Sequence, residues 1–331
     1  MKKVNKVIWG IIGAGDVCEK KSAPAMYSIP GSEVKMVMRR NASKALDFAH
    51  RHGIAHWTTD LVELLSDDDI NAVYIATPPS SHAELTIKCA EAGKAIYVEK
   101  PMANSHAECQ SMIKACQRAD VPLFVAYYRR TLPGFLKVKE LIESGKLGAI
   151  RSVTIEMVQP IQPDFIAQQG NNWRVLPEIA GGGYFHDLAS HQLEYLDFLF
   201  GPIIEFKGIS CNQAHIYPAD DIVTAAFRFK SGVMGSGTWC FNADTASQKD
   251  VTHIVGAAGA LSFNTFGSPM TIRFESSHHG PEEFCFTHSQ PIERSLIQQI
   301  VDDLRGVGKA PDTATSGART TQIMDQVIRR R

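Results

Sequence analysis

Over the first 125 residues the hydrophobic positions fall in short continuous runs rather than in alternation. "VNKVIWGII" (4–12), "EVKMVM" (33–38), "NAVYIAT" (71–77), "KAIYVE" (94–99) and "PLFVAY" (122–127) are rich in β-formers, and turn residues or charges bound them. Segments of helical period lie between. One begins at Asp16 and is disturbed at Pro24; "ASKALDFAHRHG" (42–53) is closed by Gly53, and "LVELL" (61–65) is short. "SSHAELTIKCAEAG" (80–93) again ends in Gly, and "SHAECQSMIKACQRA" (105–119) opens on a Ser105/Glu108 capping box. Continuous apolar strands that alternate with helices predict a parallel sheet covered on both faces. The α/β expectation is a doubly wound domain over residues 1–125.

The rest of the chain has a different rhythm. A helix at "PGFLKVKELIESG" (133–145) precedes strand-like runs at 149–157, 203–211, 222–229, 233–239 and 250–256. Lys230-Ser231-Gly232 supplies a tight hairpin turn, and one long helix runs from about Tyr184 to Phe200. Strands that follow one another without intervening helices predict a mainly antiparallel open sheet. This second, α+β domain is expected to span 126–331.

Composition narrows the function classes. With 44% hydrophobic and 21% charged residues and a formal charge of −1, the 331-residue chain reads as an ordinary soluble protein with room for two cores. No net field draws it to nucleic acid or to an acidic membrane. The terminal Arg329-Arg330-Arg331 run is read as a solvated helix end favoured by the macrodipole. "MKKVNKVIWGIIGAG" mimics a signal peptide, but Gly10, Gly13 and Asp16 interrupt it, and a buried strand fits better. No apolar run approaches the roughly 18 residues of a membrane span. Seven cysteines without a CxxC spacing suggest reduced, mostly buried thiols and a cytoplasmic protein.

Three stretches carry chemistry. Gly13-Ala14-Gly15-Asp16-Val17-Cys18 sits where the first strand passes to a helix, so backbone N–H groups of Gly13, Ala14, Gly15, Asp16 and Val17 can approach a pyrophosphate. Cys18 takes the third small position of that pattern. "VMRRNAS" (37–43) places Arg39, with Arg40 beside it, where an NAD-binding protein carries Asp or Glu for the ribose. Guanidinium groups suit a 2′-phosphate, which favours NADP(H) and leaves NAD(H) open; two exposed arginines at a strand end are the plainer reading. "VEKPM" (98–102) sets Glu99, Lys100 and Pro101 at the carboxyl end of a strand, the ligand-binding edge of such sheets. A desolvated lysine there can serve acid–base chemistry, with the proline fixing a cis turn that aims it.

"AGGGYFHDLASH" (180–191) poses the sharpest question. Asp187 and His191, four apart, share a helix face. His186 lies about 140° round from His191 on an α-helix, so the two histidines do not converge. A zincin needs histidines at i and i+4 with an intervening glutamate, so the spacing argues against metal. A carboxylate beside a histidine fits either a proton-transfer pair or a surface ion pair.

Gly13-Ala14-Gly15, "ATPPSSHAE" (76–84), "GKAIYVEKPM" (93–102), "VAYYRR" (125–130), "ESGKLGAIRSV" (143–153), "NWRVLPEIAGGG" (172–183) and "DLASH" (187–191) occur in an order that resembles the Gfo/Idh/MocA oxidoreductases. That family includes glucose–fructose oxidoreductase and inositol dehydrogenase, and the resemblance extends to about residue 265. It implies a dinucleotide-binding Rossmann domain over 1–125, a domain for substrate binding and oligomerisation over 126–331, and hydride transfer between NAD(P) and a sugar, polyol or related cyclic alcohol or ketone. It implies Lys100, Asp187 and His191 as the catalytic set, with His191 as acid/base, Lys100 on the reacting oxygen and Asp187 tuning the pair. Which of Lys100 and His191 moves the proton stays open. The cofactor side would add Thr77, Pro78, His82, Glu99 and Lys100 itself. Tyr128, Arg130, Trp173, Arg174 and Tyr184 would face substrate, although each also suits packing. A homodimer or homotetramer is the implied assembly. A dihydrodiol dehydrogenase and a redox-silent dinucleotide-binding sensor remain alternatives, since fold does not fix function.

Overall fold

In the computed structural model, described over residues 2–163 and 172–327, the chain divides into two units. One comprises Met1–Tyr128 with Ser289–Ala318, the other Arg129–His288 with Arg319–Arg331. The terminal arginine run lies outside the described residues.

The first unit holds six parallel strands: β1 (Val7–Ile12), β2 (Ser32–Met38), β3 (His56–Thr58), β4 (Ala72–Ile75), β5 (Ala95–Val98) and β6 (Leu123–Val125). Their order, β3-β2-β1-β4-β5-β6, reverses between β1 and β4, the switch point where doubly wound sheets bind ligands. Every position of β4 and β5 is buried, which is why their apolar runs do not alternate. Helices α1 (Ala23–Ser28), α2 (Ala42–His52), α3 (Leu61–Ser66), α4 (His82–Glu91) and α5 (His106–Arg118) join the strands. Asn41 caps α2 by accepting from Lys44 N at 3.0 Å, and Gly53 closes it at φ 65°. Ser105 caps α5 as expected, while Glu108 reaches back to Asn104 N at 3.0 Å, one residue beyond the reciprocal partner of a capping box. The disturbance at Pro24 is a π-turn, Cys18–Ser22. A proline has no N–H for the α-helical ladder, and the widened turn just before it absorbs the break.

The second unit holds a mixed eight-stranded sheet in the order β14-β13-β12-β11-β7-β10-β9-β8. Its strands are β7 (Ile150–Val158), β8 (Ile203–Cys211), β9 (Ile222–Phe229), β10 (Met234–Cys240), β11 (Lys249–Gly256), β12 (Ala260–Phe263), β13 (Met270–Glu275) and β14 (Glu282–Phe286). All neighbours are antiparallel except β7 and β10. Here burial alternates: Val223, Ala225, Phe227 and Phe229 point inward, while Thr224 and Ala226 are exposed. Helices α6 (Pro133–Glu143), α7 (Pro177–Ala180) and α8 (Ser190–Phe200) belong to this unit. The long helix expected over about Tyr184 to Phe200 is present without a break, and its first part is a π-turn, Phe185–Ala189, that runs into α8.

After β14 the chain returns to the first unit through α9 (Arg294–Arg305) and the start of α10 (Thr313–Met324). Leu296, Ile297, Ile300 and Val301 of α9 are fully buried, and Thr313 Oγ1 accepts from Val125 N at 2.8 Å on β6. A single cut after residue 125 therefore misplaces residues 289–318. Side chains of this size each contribute about 1.5–3 kcal/mol when fully buried, so the return is part of the first core.

Candidate active site

The glycine turn is shaped by its neighbours. Gly13 has φ 83°, and a Cβ there would stand 2.7 Å from Thr77 Cγ2 and 2.9 Å from Ala76 O. Gly15 is exposed, with nothing within 4 Å of where its Cβ would be, so the turn opens outward at that point. Cys18 is fully buried behind it and donates its thiol to Gly13 O at 3.4 Å. Burial pushes that thiol far above its ordinary range, and its role is packing. At the end of β2, Arg39 is half-buried and Arg40 exposed. Arg39 lies near enough to the turn for its charge to act on Cys18.

Lys100 follows β5, half-buried, and its bond to Pro101 is cis. Two neighbours fix this turn. The Glu99 carboxylate accepts from Tyr74 Oη at 2.7 Å through Oε1 and from Lys100 N at 3.2 Å through Oε2. Glu99 is thus turned into the protein, and burial raises its pKa. His82, fully buried, sets Nε2 2.8 Å from Thr77 O and Nδ1 3.1 and 3.2 Å from Pro101 O and Met102 O. It ties the loop after β4 to the loop after β5. Burial lowers its pKa, and the three carbonyls oppose that shift. Thr77 also accepts from Ser81 Oγ at 2.7 Å, beside half-buried Pro78.

In the second unit the glycine run makes room for one histidine and the helix presents the other. A Cβ on Gly182 would overlap the ring of His186, which is 1% exposed, so this histidine is packed on the glycine. Asp187 is half-buried, with Oδ2 3.2 Å from Arg174 Nε, and that guanidinium stands 4.6 Å over the Trp173 ring. Arg174, expected beside substrate, thus also holds Asp187. The His191 ring meets Phe266 edge-on at 5.9 Å. Arg129 stacks 4.4 Å from Phe266 on the same loop, donates to Thr265 O at 2.6 Å and so bolts that loop down. Asp250 Oδ2 accepts from Phe266 N at 2.5 Å, and burial raises the pKa of this carboxyl.

Three of the residues expected beside substrate are internal. Arg130 is buried in an ion pair with Glu194 and lies 4.8 Å from the Phe198 ring. Tyr184 is fully buried, its hydroxyl accepting from Asn172 Nδ2 at 2.6 Å, and Tyr128 is 3% exposed. Sequence reasoning missed Arg129, Asp250 and Phe266, because only tertiary pairing brings residue 266 to His191. Among the described residues no group of three His, Cys, Asp or Glu side chains could hold a metal ion. No helix among them is long and apolar enough to cross a membrane.

Residues 7–127 match the oxidoreductase family with an NAD-binding Rossmann fold, and residues 135–262 match the GFO/IDH/MocA C-terminal domain. An oxidoreductase of Formosa agariphila is 40% identical over 97% of this chain and 98% of its own length. A levoglucosan dehydrogenase of Pseudarthrobacter phenanthrenivorans is 29% identical over 77% of this chain and 73% of its own. A solved levoglucosan dehydrogenase, in complex with NADH and L-sorbose, shares the fold with a TM-score of 0.85 at 23% identity, over 98% of this chain and 96% of that one. A 3-ketoreductase from Actinomadura kijaniata, in complex with NADP, does so at 0.83 and 20% identity, over 98% and 97%. With both family descriptions matched in chain order and a full-length relative at that identity, this chain belongs to the Gfo/Idh/MocA family of oxidoreductases.

Proposed function

We propose that the protein is an NADP(H)-preferring oxidoreductase that converts a sugar, polyol or related cyclic alcohol to the corresponding ketone, or the reverse. The observation that carries this is the Lys100 turn: a half-buried lysine at the sheet's ligand edge, its backbone N–H held by Glu99 and the carbonyl of Pro101 beside it met by His82. The open turn at Gly15 fits a pyrophosphate, and Arg39 and Arg40 fit a 2′-phosphate. A bound nicotinamide would supply the hydride chemistry. Of the chain's own groups, Lys100 donates a hydrogen bond to the reacting oxygen and stabilises its developing charge. His191 takes or returns the hydroxyl proton, while Asp187, itself held by Arg174, tunes that exchange. Relatives named levoglucosan dehydrogenase and 1,5-anhydro-D-fructose reductase support a carbohydrate substrate. Exposed Ile209 and Met234 on the open sheet face support pairing with a second copy.

The test is a panel of sugars, polyols and keto-sugars with both cofactors, together with dissociation constants for NADPH and NADH. Turnover of at least one carbohydrate and an NADPH preference of about tenfold or more are expected, since a charge-assisted contact is worth about 1.5–3 kcal/mol. Equal affinities would remove the Arg39 assignment. Tight binding with no turnover would favour a sensor.

A further inference from the structure

Beneath the Lys100 turn lies a second carboxyl that the proposed chemistry does not use. Glu293 stands just before α9 on the return segment and is 1% exposed. Its Oε2 accepts from Tyr97 Oη at 3.0 Å, while its Oε1 is buried with no hydrogen-bond partner. Tyr97 on β5 pairs in register with Tyr74 on β4, and the two rings stack at 5.0 Å. Tyr74 serves Glu99. Two carboxyls thus sit on two stacked phenols of neighbouring strands, deep in the sheet's carboxyl edge.

Two full negative charges in such a place would repel each other with little water to screen them, so one proton between them is the stable state. The donors decide where it resides. Glu99 has two, the Tyr74 hydroxyl and the Lys100 N–H, and can remain an anion. Glu293 has one donor and one orphaned oxygen, the arrangement that suits a neutral acid. We propose that Glu293 is a positioning residue that stays neutral so that Glu99 is the ionised member of the pair, anchored on Tyr74 and holding the Lys100 backbone N–H. This inference rests on the reading of Lys100 as the acting lysine. The groups facing the pair are Lys21 and Lys100, whose charges favour ionisation, and Tyr74, Tyr97 and Cys18, which burial keeps neutral. Burial raises both carboxyls, and the charge of Glu99 adds to the rise of Glu293, which goes further.

The sign of the pH effect follows. A glutamate that is neutral when folded and ionised when unfolded makes the folded chain bind the extra proton. Stability is then fully present below the ordinary glutamate value of about 4.3 and falls as pH rises toward the folded value. For one proton the folding equilibrium constant drops by up to about tenfold per pH unit across that window.

The experiment compares the intact wild-type protein with Glu293→Gln, which mimics the neutral acid. Infrared difference spectra at neutral pH should show the carbonyl band of one protonated carboxylic acid in the wild type that is missing from the variant. Thermal melts from pH 5 to 8 should lose part of their downward slope in Glu293→Gln, and Glu293→Asp should restore it. Absence of the band from the difference spectrum, or an unchanged slope, overturns the proposal. NADPH titration of both proteins keeps the two readings apart. Failure of the wild type to bind refutes the dinucleotide function whatever the spectra show, and normal binding without the band refutes only the role of Glu293.

Discussion

His82 lies with both ring nitrogens against backbone carbonyls of two loops; its neutral ring donates its one N–H to them and holds the Lys100 turn by that bond and by packing. Replacing it with Gln should leave one loop untied. A loss of about 1–3 kcal/mol in stability is expected, the cost of stranding buried polar groups, and is read from a denaturant melt. The pH dependence has a definite sign. Its folded pKa is depressed, so its stabilisation is present above the ordinary histidine value of about 6.5 and is lost as pH falls below it. His82→Gln should therefore flatten part of the acid limb; an unchanged limb would contradict the clamp. Of this site the sequence displayed the histidine and its place at a helix start, but not which way the ring turns. The same applies to "GGG", where Gly182 serves the packing of His186.

At the scale of elements, the loop 264–267 connects the core to His191. Arg129 and Asp250 hold it by backbone, Gln192 Nε2 reaches Thr265 Oγ1 at 3.4 Å, and Phe266 meets the His191 ring. Arg129→Met keeps the stem but removes the donor and the charge on Phe266. Hydrogen exchange at 264–267 should then accelerate by about tenfold or more, a hydrogen bond to a charged group being worth about 1.5–3 kcal/mol. Unchanged protection would mean that the loop is held some other way. The strands were legible where burial imposes a pattern: β4 and β5 because both faces are covered, β9 because one is. The π-turns at Cys18–Ser22 and Phe185–Ala189 were not, since an inserted residue barely alters a helical hydrophobic period.

At the scale of the whole chain, the order of motifs revealed two units but not the return of 289–318 to the first. Tyr97 and Glu293 are 196 residues apart, and no local periodicity encodes that contact. The family matches state what class of chemistry the chain performs, and the proposal assigns the acting side chains to the Lys100 turn and to α8. Single-turnover oxidation of bound NADPH, using whichever carbohydrate the panel identifies, tests this most directly. Lys100→Ala and His191→Ala should each bind NADPH yet react about 10²–10⁴-fold more slowly than the wild type, the usual contribution of a positioned acid or base. Wild-type rates in both variants would contradict the account.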